Sequence, residues 1–215
     1  MTLYLGLELP PHLKDNPKVI HCPIIQIIPR SITDPAIQKT YEELPSYTHL
    51  LFTSKTAVRL FFAHLQTPSI LISTLQNKCF VAVGHATAQC LQEHKLSHIV
   101  VAQDETAEGV IAVLKQMDLT RAHLFWPHSA LSRPILNEFL NNLGRPHHTP
   151  VFYDTITKHP DTLPDLQNIQ EIVFTSSSTV SAFCEIFGTL PTDKKLIAIG
   201  PVTERHLHQL VKAQD

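Results

Sequence analysis

The sequence LFTSKTAV at residues 51–58 is echoed by VFTSSSTV at residues 173–180, which shares its Phe-Thr-Ser and its final Val. In each copy, a short apolar run ends in Phe-Thr-Ser and is followed by a pattern typical of a helix. A second pair follows in the same order, VAVG at residues 81–84 and IAIG at residues 197–200. The copies lie much farther apart than the repeats of a solenoid, so we expect two similar lobes.

A third pair of apolar runs precedes both copies and begins at Pro23 and Pro150. Proline-containing stretches flank these runs, and such stretches are typical of connectors. We therefore expect two linker strands between the lobes. The expected boundaries are residues 1–30 with 158–215 for lobe 1, residues 32–150 for lobe 2, and linker strands near 23–30 and 150–157.

Short apolar runs alternate with helical patterns along the chain, which predicts α/β lobes of three layers, α/β/α, with parallel sheets. The predicted strands are residues 3–9, 23–28, 49–53, 79–83, 99–102, 123–126, 150–156, 171–175 and 196–199. The predicted helices are residues 55–65, 86–94, 107–117, 133–143, 178–187 and 202–211. Since no strand is expected after residue 211, the strand at 196–199 should be an edge of its sheet.

The composition excludes several classes of function. The 17 basic and 19 acidic residues nearly balance, which argues against a nucleic-acid partner. Apolar runs are too short to cross a membrane, and the first residues lack a basic leader, so we expect a cytoplasmic protein. We also expect a monomer. The four cysteines are scattered and are expected to be buried free thiols. Neither a metal-binding HExxH nor a nucleotide-phosphate loop is present in the sequence, and we expect no metal.

Small hydroxyl residues follow the repeated strands, at the start of the helices. In parallel sheets, ligands bind outside the carboxyl ends of strands, and helix N-termini there favour anions. We expect a shared anion-binding cleft; its predicted residues are Thr53, Ser54, Lys55, Gly84 and Thr87 in one copy, and Thr175, Ser176, Ser177, Gly200, Pro201 and Thr203 in the other. The glycines are expected to permit tight turns and Pro201 to begin a helix. The alternative is that the hydroxyls only cap helices.

These motifs together resemble those of the uroporphyrinogen-III synthase family. The resemblance covers residues 20 to 211 and is carried by six short motifs in a fixed order. They are FTSxxAV at residues 52–58, AVGxxTA at 82–88, TxEG at 106–109, VxYxT at 151–155, FTSSxxV at 174–180 and AIGPxT at 198–203.

The resemblance implies a bilobal fold with swapped strands and a flexible two-strand linker. It also implies a lyase that converts hydroxymethylbilane, a linear tetrapyrrole, to uroporphyrinogen III in haem biosynthesis. The family uses no cofactor, inverts the last ring and closes the macrocycle. Tyr153 matches the family's tyrosine that helps the hydroxyl leave, and Arg133 matches a basic position that can pair with a substrate carboxylate.

The first strand departs from the family's pattern. Leu7-Glu8-Leu9-Pro10 stands where members have Thr-Arg-Pro, so this edge is not expected to bind an anion. Two alternatives remain open from the residues. One is a non-catalytic bilobal protein that binds anions, and the other is a doubly wound enzyme that binds a sugar or nucleotide.

Overall fold

A computed structural model describes residues 1–65 and 73–214, which divide into two compact units. Unit 1 combines Met1–Ile28 with Thr155–Asp215, and unit 2 is Pro29–Asp154. Unit 2 is therefore continuous in sequence, whereas unit 1 is built from both ends of the chain.

The elements alternate between strands and helices. The strands are β1 (Thr2–Tyr4), β2 (Val19–His21), β3 (Ile25–Pro29), β4 (His49–Phe52), β5 (Cys79–Ala82), β6 (Ile99–Val101), β7 (Leu124–Phe125), β8 (His128–Ser129), β9 (His147–His148), β10 (Val151–Thr157), β11 (Glu171–Phe174) and β12 (Lys195–Ala198). The helices are α1 (Pro35–Glu42), α2 (Lys55–Ala63), α3 (His85–Gln92), α4 (Ala107–Lys115), α5 (Ile135–Leu143), α6 (Ser177–Phe187) and α7 (Pro201–Lys212).

Unit 2 contains a five-stranded parallel sheet in the order β6-β5-β4-β7-β9. Alternate side chains of β4 point to opposite faces. Leu51 packs with residues of α4 and α5 in one core, whereas Phe52 stacks edge-on against Phe61 of α2, with ring centroids 5.6 Å apart. Helices therefore cover both faces of this sheet, as the three-layer prediction requires.

Unit 1 contains a four-stranded parallel sheet in the order β12-β11-β1-β2. Ile172 and Phe174 of β11 pack with Val180 and Phe183 of α6 and with Leu207 of α7 in one buried cluster. Among the described residues, β12 is an edge strand, which confirms the prediction for the strand at 196–199.

The chain passes between the units along β3 and β10, which lie side by side in a third sheet of order β3-β10-β8. The division of the units falls within both strands. The Arg30 N–H donates to the Phe152 carbonyl at 2.8 Å, and the Lys158 N–H donates to the Ile24 carbonyl at 2.8 Å. Arg30 also forms a bidentate ion pair with Asp154, at 2.8 and 3.0 Å.

Several details of the fold differ from the sequence predictions, including the first strand, which ends at Tyr4 rather than at residue 9. The stretch predicted as a connector contains α1, because Asp34 caps it by accepting from the Ala36 N–H and Pro35 suits its first turn. Val19–His21 forms β2, for which the sequence predicted no strand. The fifth strand of the unit 2 sheet is β9, for which the sequence also predicted no strand, since His147–His148 pairs with β7.

Within the described ranges, no helix combines the length and the apolar character that crossing a bilayer requires. Residues 1–65 and 73–214 likewise contain no cluster of three or more His, Cys, Asp or Glu side chains suited to a metal ion. All four cysteines are free; Cys22 and Cys90 are buried, and Cys79 and Cys184 are half-buried.

Candidate functional site

In unit 2 the carboxyl ends of β4 and β5 lie side by side, because the two strands are parallel neighbours. Ser54 follows β4 and caps α2, its Oγ accepting the Ala57 N–H at 3.0 Å. Gly84 follows β5 and is the N-cap of α3. The first N–H groups of both helices therefore point out at one edge of the sheet, where they favour an anion.

Tyr153 reaches this edge from β10. Its hydroxyl lies 2.9 Å from Ser54 Oγ, and the residue is only 6% exposed. Burial raises the pKa of the Tyr153 hydroxyl, while the hydrogen bond with Ser54 acts in the opposite direction and lowers it. The phenol is therefore protonated at neutral pH and can act as an acid or a hydrogen-bond donor.

Thr53 accepts a hydrogen bond from a residue that was not among the predicted site residues. The indole N–H of the buried Trp126 donates to Thr53 Oγ1 at 3.1 Å. The Trp126 ring stacks on His128, with centroids 4.3 Å apart. The only sequence signal for this role was the position of Trp126 at the end of a predicted strand.

Gly84 does not form the tight turn that was predicted. Its φ of −171° is extended backbone that any residue adopts. A side chain here would instead collide with Glu105, whose carboxylate Oε1 accepts the His85 N–H at 3.0 Å. A carboxylate of the chain itself therefore occupies the N-terminus of α3. Thr87, at 4% exposure, is buried beneath this turn rather than open at its surface.

Arg133 is already paired within unit 2. Its Nη1 and Nη2 atoms donate to the two carboxylate oxygens of Glu108 at 2.7 and 2.6 Å. This contact holds the pKa of Glu108 at about 2. Arg133 can therefore contact a substrate carboxylate, as predicted, only if this pair opens or if the remaining N–H groups of the guanidinium bind the substrate.

The TxEG motif at residues 106–109 has a structural explanation. Thr106 caps α4 by accepting the Gly109 N–H at 3.1 Å. Glu108 holds Arg133 in the pair just described. A Cβ on Gly109 would lie 2.0 Å from the Asp104 carbonyl oxygen, so no side chain fits there. Thr106 and Gly109 therefore shape the start of α4, and Glu108 links its first turn to Arg133.

The corresponding edge of unit 1 carries Thr175, Ser176 and Ser177 after β11. Ser176 caps α6 in a capping box with Thr179. The Thr179 hydroxyl accepts from the backbone N–H groups of Thr175 and Ser176 at 3.1 and 3.2 Å. Two donors that an anion would otherwise reach are therefore used internally, and the exposed donors of this turn are those at the start of α6.

The next strand of unit 1, β12, leads into α7 through Gly200 and Pro201. Gly200 has an extended φ of −157° and open space where a Cβ would lie, so the expected tight turn is absent here too. Pro201 is the first residue of α7, as predicted. Thr203 is 5% exposed and, like its counterpart Thr87, lies under the helix start.

The structure thus brings the predicted residues together in two sets, one in each unit. Ser54 and Ser176 cap helices, as the capping alternative predicted. These caps leave other N–H groups of the first helical turn available to a ligand. That the two sets serve one ligand stays a prediction.

Two cavities lined by described residues lie elsewhere. They are in unit 2, at the amino ends of its strands, with volumes of about 530 and 520 Å³. Lys78 and His98 line the first, and His49 and Arg121 line the second. In parallel sheets the ligand edge is the opposite one, so we do not place the site in either cavity.

The fold and these strand–helix junctions define a duplicated α/β protein with two units joined by paired strands. The chain belongs to the uroporphyrinogen-III synthase family: the model of the family Uroporphyrinogen-III synthase HemD matches residues 16–212. The resemblance inferred from the sequence is thereby confirmed.

Comparisons with individual proteins agree with this assignment. A protein from Methanothermobacter thermautotrophicus, provisionally named a uroporphyrinogen-III synthase, is 27% identical in an alignment of 176 residues that covers 74% of this chain and 68% of the relative. A solved structure of a mutant uroporphyrinogen III synthase from Thermus thermophilus is similar with a TM-score of 0.64 at 17% identity, over 98% of this chain and 88% of the other. The Helicobacter pylori uroporphyrinogen-III synthetase gives a TM-score of 0.63 at 21% identity, over 97% and 87%.

Proposed function

We propose that this protein is a lyase that cyclises linear hydroxymethylbilane, with inversion of its last ring, to uroporphyrinogen III in haem biosynthesis. Membership of the family supports the substrate and the reaction. The observation that carries the proposal is the buried, protonated Tyr153, held 2.9 Å from the capping Ser54 at the carboxyl edge of the unit 2 sheet.

The reaction begins with loss of the terminal hydroxyl of the substrate. We assign Tyr153 as the acid: its phenol proton passes to the departing hydroxyl, the carbon–oxygen bond breaks, and water leaves. The neighbouring pyrrole nitrogen supplies the electron pair that stabilises the cation formed. Attack by the last ring, rearrangement and closure follow, and the proton released at ring closure restores the phenol. The oxidation level does not change, so no redox partner is needed.

The substrate is a polycarboxylate, and we propose that helix N-termini hold it. In unit 2 the start of α2 and the exposed Lys55 offer donors and a cation. In unit 1 the starts of α6 and α7 offer the N–H groups beyond Ser176 and Gly200. Arg133 would join them only when it is released from Glu108.

Product analysis tests the reaction. The protein is supplied with freshly generated hydroxymethylbilane, and the uroporphyrin isomers are separated after oxidation. Spontaneous closure gives isomer I, so we expect isomer III from the protein and isomer I from a boiled sample. Isomer I alone, with tight binding of the substrate, would instead support the non-catalytic alternative.

Tyr153→Phe tests the assigned acid. We expect turnover to fall by about 10²-fold, the scale of general-acid assistance, with little change in stability because one hydroxyl is lost. Turnover equal to that of the unaltered protein would return Tyr153 to a structural role.

We also propose that the protein acts as a monomer in the cytoplasm, without a nucleic-acid or membrane partner. The four free thiols fit a reducing compartment. Light scattering after gel filtration and fractionation of the source cells would check these two points.

A further inference from the structure

The contact between Ser54 and Tyr153 involves the Ser54 hydroxyl, which also caps α2. A serine hydroxyl has one proton and two lone pairs. The Ala57 N–H uses one lone pair of Ser54 Oγ, at 3.0 Å. The proton of Ser54 is therefore free to be donated to Tyr153 Oη, 2.9 Å away. The arrangement forms a chain from the N-terminus of α2, through Ser54, to the phenol.

The chain has a defined direction once the phenol loses its proton. A tyrosinate oxygen can only accept, so Ser54 must then be the donor. The Ala57 N–H polarises the Ser54 hydroxyl, and the partial positive charge at the start of α2 favours a negative charge nearby. Because Tyr153 is buried, solvent contributes little to stabilising that charge.

We propose that Ser54 is a positioning residue for Tyr153 rather than only a helix cap or a substrate contact. It fixes the phenol at the carboxyl edge of the sheet and donates to the oxygen on which negative charge develops as the hydroxyl of the substrate departs. The inference rests on the proposed function, since it assigns Tyr153 as the acid.

Two substitutions separate this role from capping. Ser54→Gly removes the hydroxyl, and glycine at an N-cap costs only a few tenths of a kcal/mol relative to serine. Ser54→Thr keeps both a hydroxyl and a good cap. The matched control is Asp34→Gly, which removes the side chain that caps α1 in the same unit by accepting the Ala36 N–H.

Turnover distinguishes the variants. We expect Ser54→Gly to lower kcat by roughly 10- to 100-fold, the range for losing a hydrogen bond to a charged group, with KM little changed. Ser54→Thr should restore most of kcat, and Asp34→Gly should leave it unaltered. A rise in KM with kcat unchanged would overturn the proposal in favour of substrate contact, and an equal fall of kcat in Asp34→Gly would overturn it in favour of capping.

A double-mutant cycle shows whether Ser54 acts through Tyr153. In the Tyr153→Phe background, the loss caused by Ser54→Gly should largely disappear, because no phenol remains to be positioned. A loss that persists at full size refutes the proposal. Absence of isomer III from the unaltered protein would refute the proposed function instead.

Titration of Tyr153 gives a readout that does not depend on turnover. Isotope-labelled tyrosine, assigned by the signal lost in Tyr153→Phe, is followed by NMR as pH rises. Since the hydrogen bond with Ser54 lowers the pKa of Tyr153, Ser54→Gly should move ionisation of the phenol to higher pH. An ionisation that does not move, or moves to lower pH, would contradict donation by Ser54.

Discussion

Replacing Glu108 by glutamine should destabilise unit 2 and release Arg133. The two side chains form a bidentate pair at 2.6 and 2.7 Å, with 41% and 38% of their side-chain surfaces exposed. A pKa held at about 2 instead of 4.5 would correspond to about 3 kcal/mol if no solvent screened the pair. Because both side chains are more than a third exposed, we expect about 1 kcal/mol.

The pH dependence gives the sign of this effect. The pKa of Glu108 is lowered on folding, so its contribution is complete above 4.5 and is lost as pH falls towards 2. Urea unfolding of the unaltered protein and of Glu108→Gln should therefore differ by about 1 kcal/mol at neutral pH. The difference should shrink progressively over that acidic window.

The control is Asp193→Asn, which breaks an ion pair whose carboxylate is 72% exposed. This variant should unfold like the unaltered protein. Equal effects of Glu108→Gln at neutral and acidic pH would refute the ion pair as their cause. If Arg133 contacts the substrate, Glu108→Gln should also lower KM, and this second measurement is independent of stability.

Three further outcomes follow from the structure. Gly109→Ala should cost about 3 kcal/mol in unfolding free energy, because its Cβ would meet the Asp104 carbonyl oxygen, whereas Gly200→Ala, with open space, should be nearly neutral. Trp126→Phe should cost about 2 kcal/mol in urea unfolding, because it removes the hydrogen bond to Thr53 and part of a buried ring, and a change below experimental error would show that neither contributes. Amide exchange should be faster across the edge strand β12 than across β5, which has strands on both sides, and the reverse order would show that β12 is protected by something else.

Local patterns were sufficient to predict the strand–helix junctions. A short apolar run, a small hydroxyl and an amphipathic segment specified β4, the Ser54 cap and α2, and they did so again for β11, Ser176 and α6. The duplication identified both pairs of junctions because each copy supports the other.

Local sequence patterns could not predict contacts between residues that are far apart in the chain. Glu105 is 20 residues from the His85 N–H that it accepts from, and Arg133 is 25 residues from Glu108. The sequence could not show that carboxylates of the chain meet the predicted anion sites. Gly84 was misread for a related reason: the Glu105 side chain lies where a Cβ on Gly84 would point, and only the folded structure reveals that approach.

The sequence did not predict α1 or β2, because the local residue patterns around them are not typical of a helix or a strand. Prolines surround α1, yet Pro35 stands at the one position where proline favours a helix. Val19–His21 is too short to show a period, and pairing with β1 makes it a strand.

The composition of unit 1 from both chain ends imposes an order on folding during synthesis. Strand β1 lies between β2 and β11 in the sheet, and Thr2 meets Glu171 across 169 residues of chain. On the ribosome, β1 cannot pair with β11 until unit 2 and then β11 have emerged. The contiguous unit 2 can complete its own sheet first. Until then, the apolar residues Leu3 and Leu5, fully buried in the finished protein, lack their partners. Slow translation across the second half of the chain would lengthen this exposure, so the yield of folded protein should depend on the speed of synthesis and on chaperones that shield the N-terminal segment.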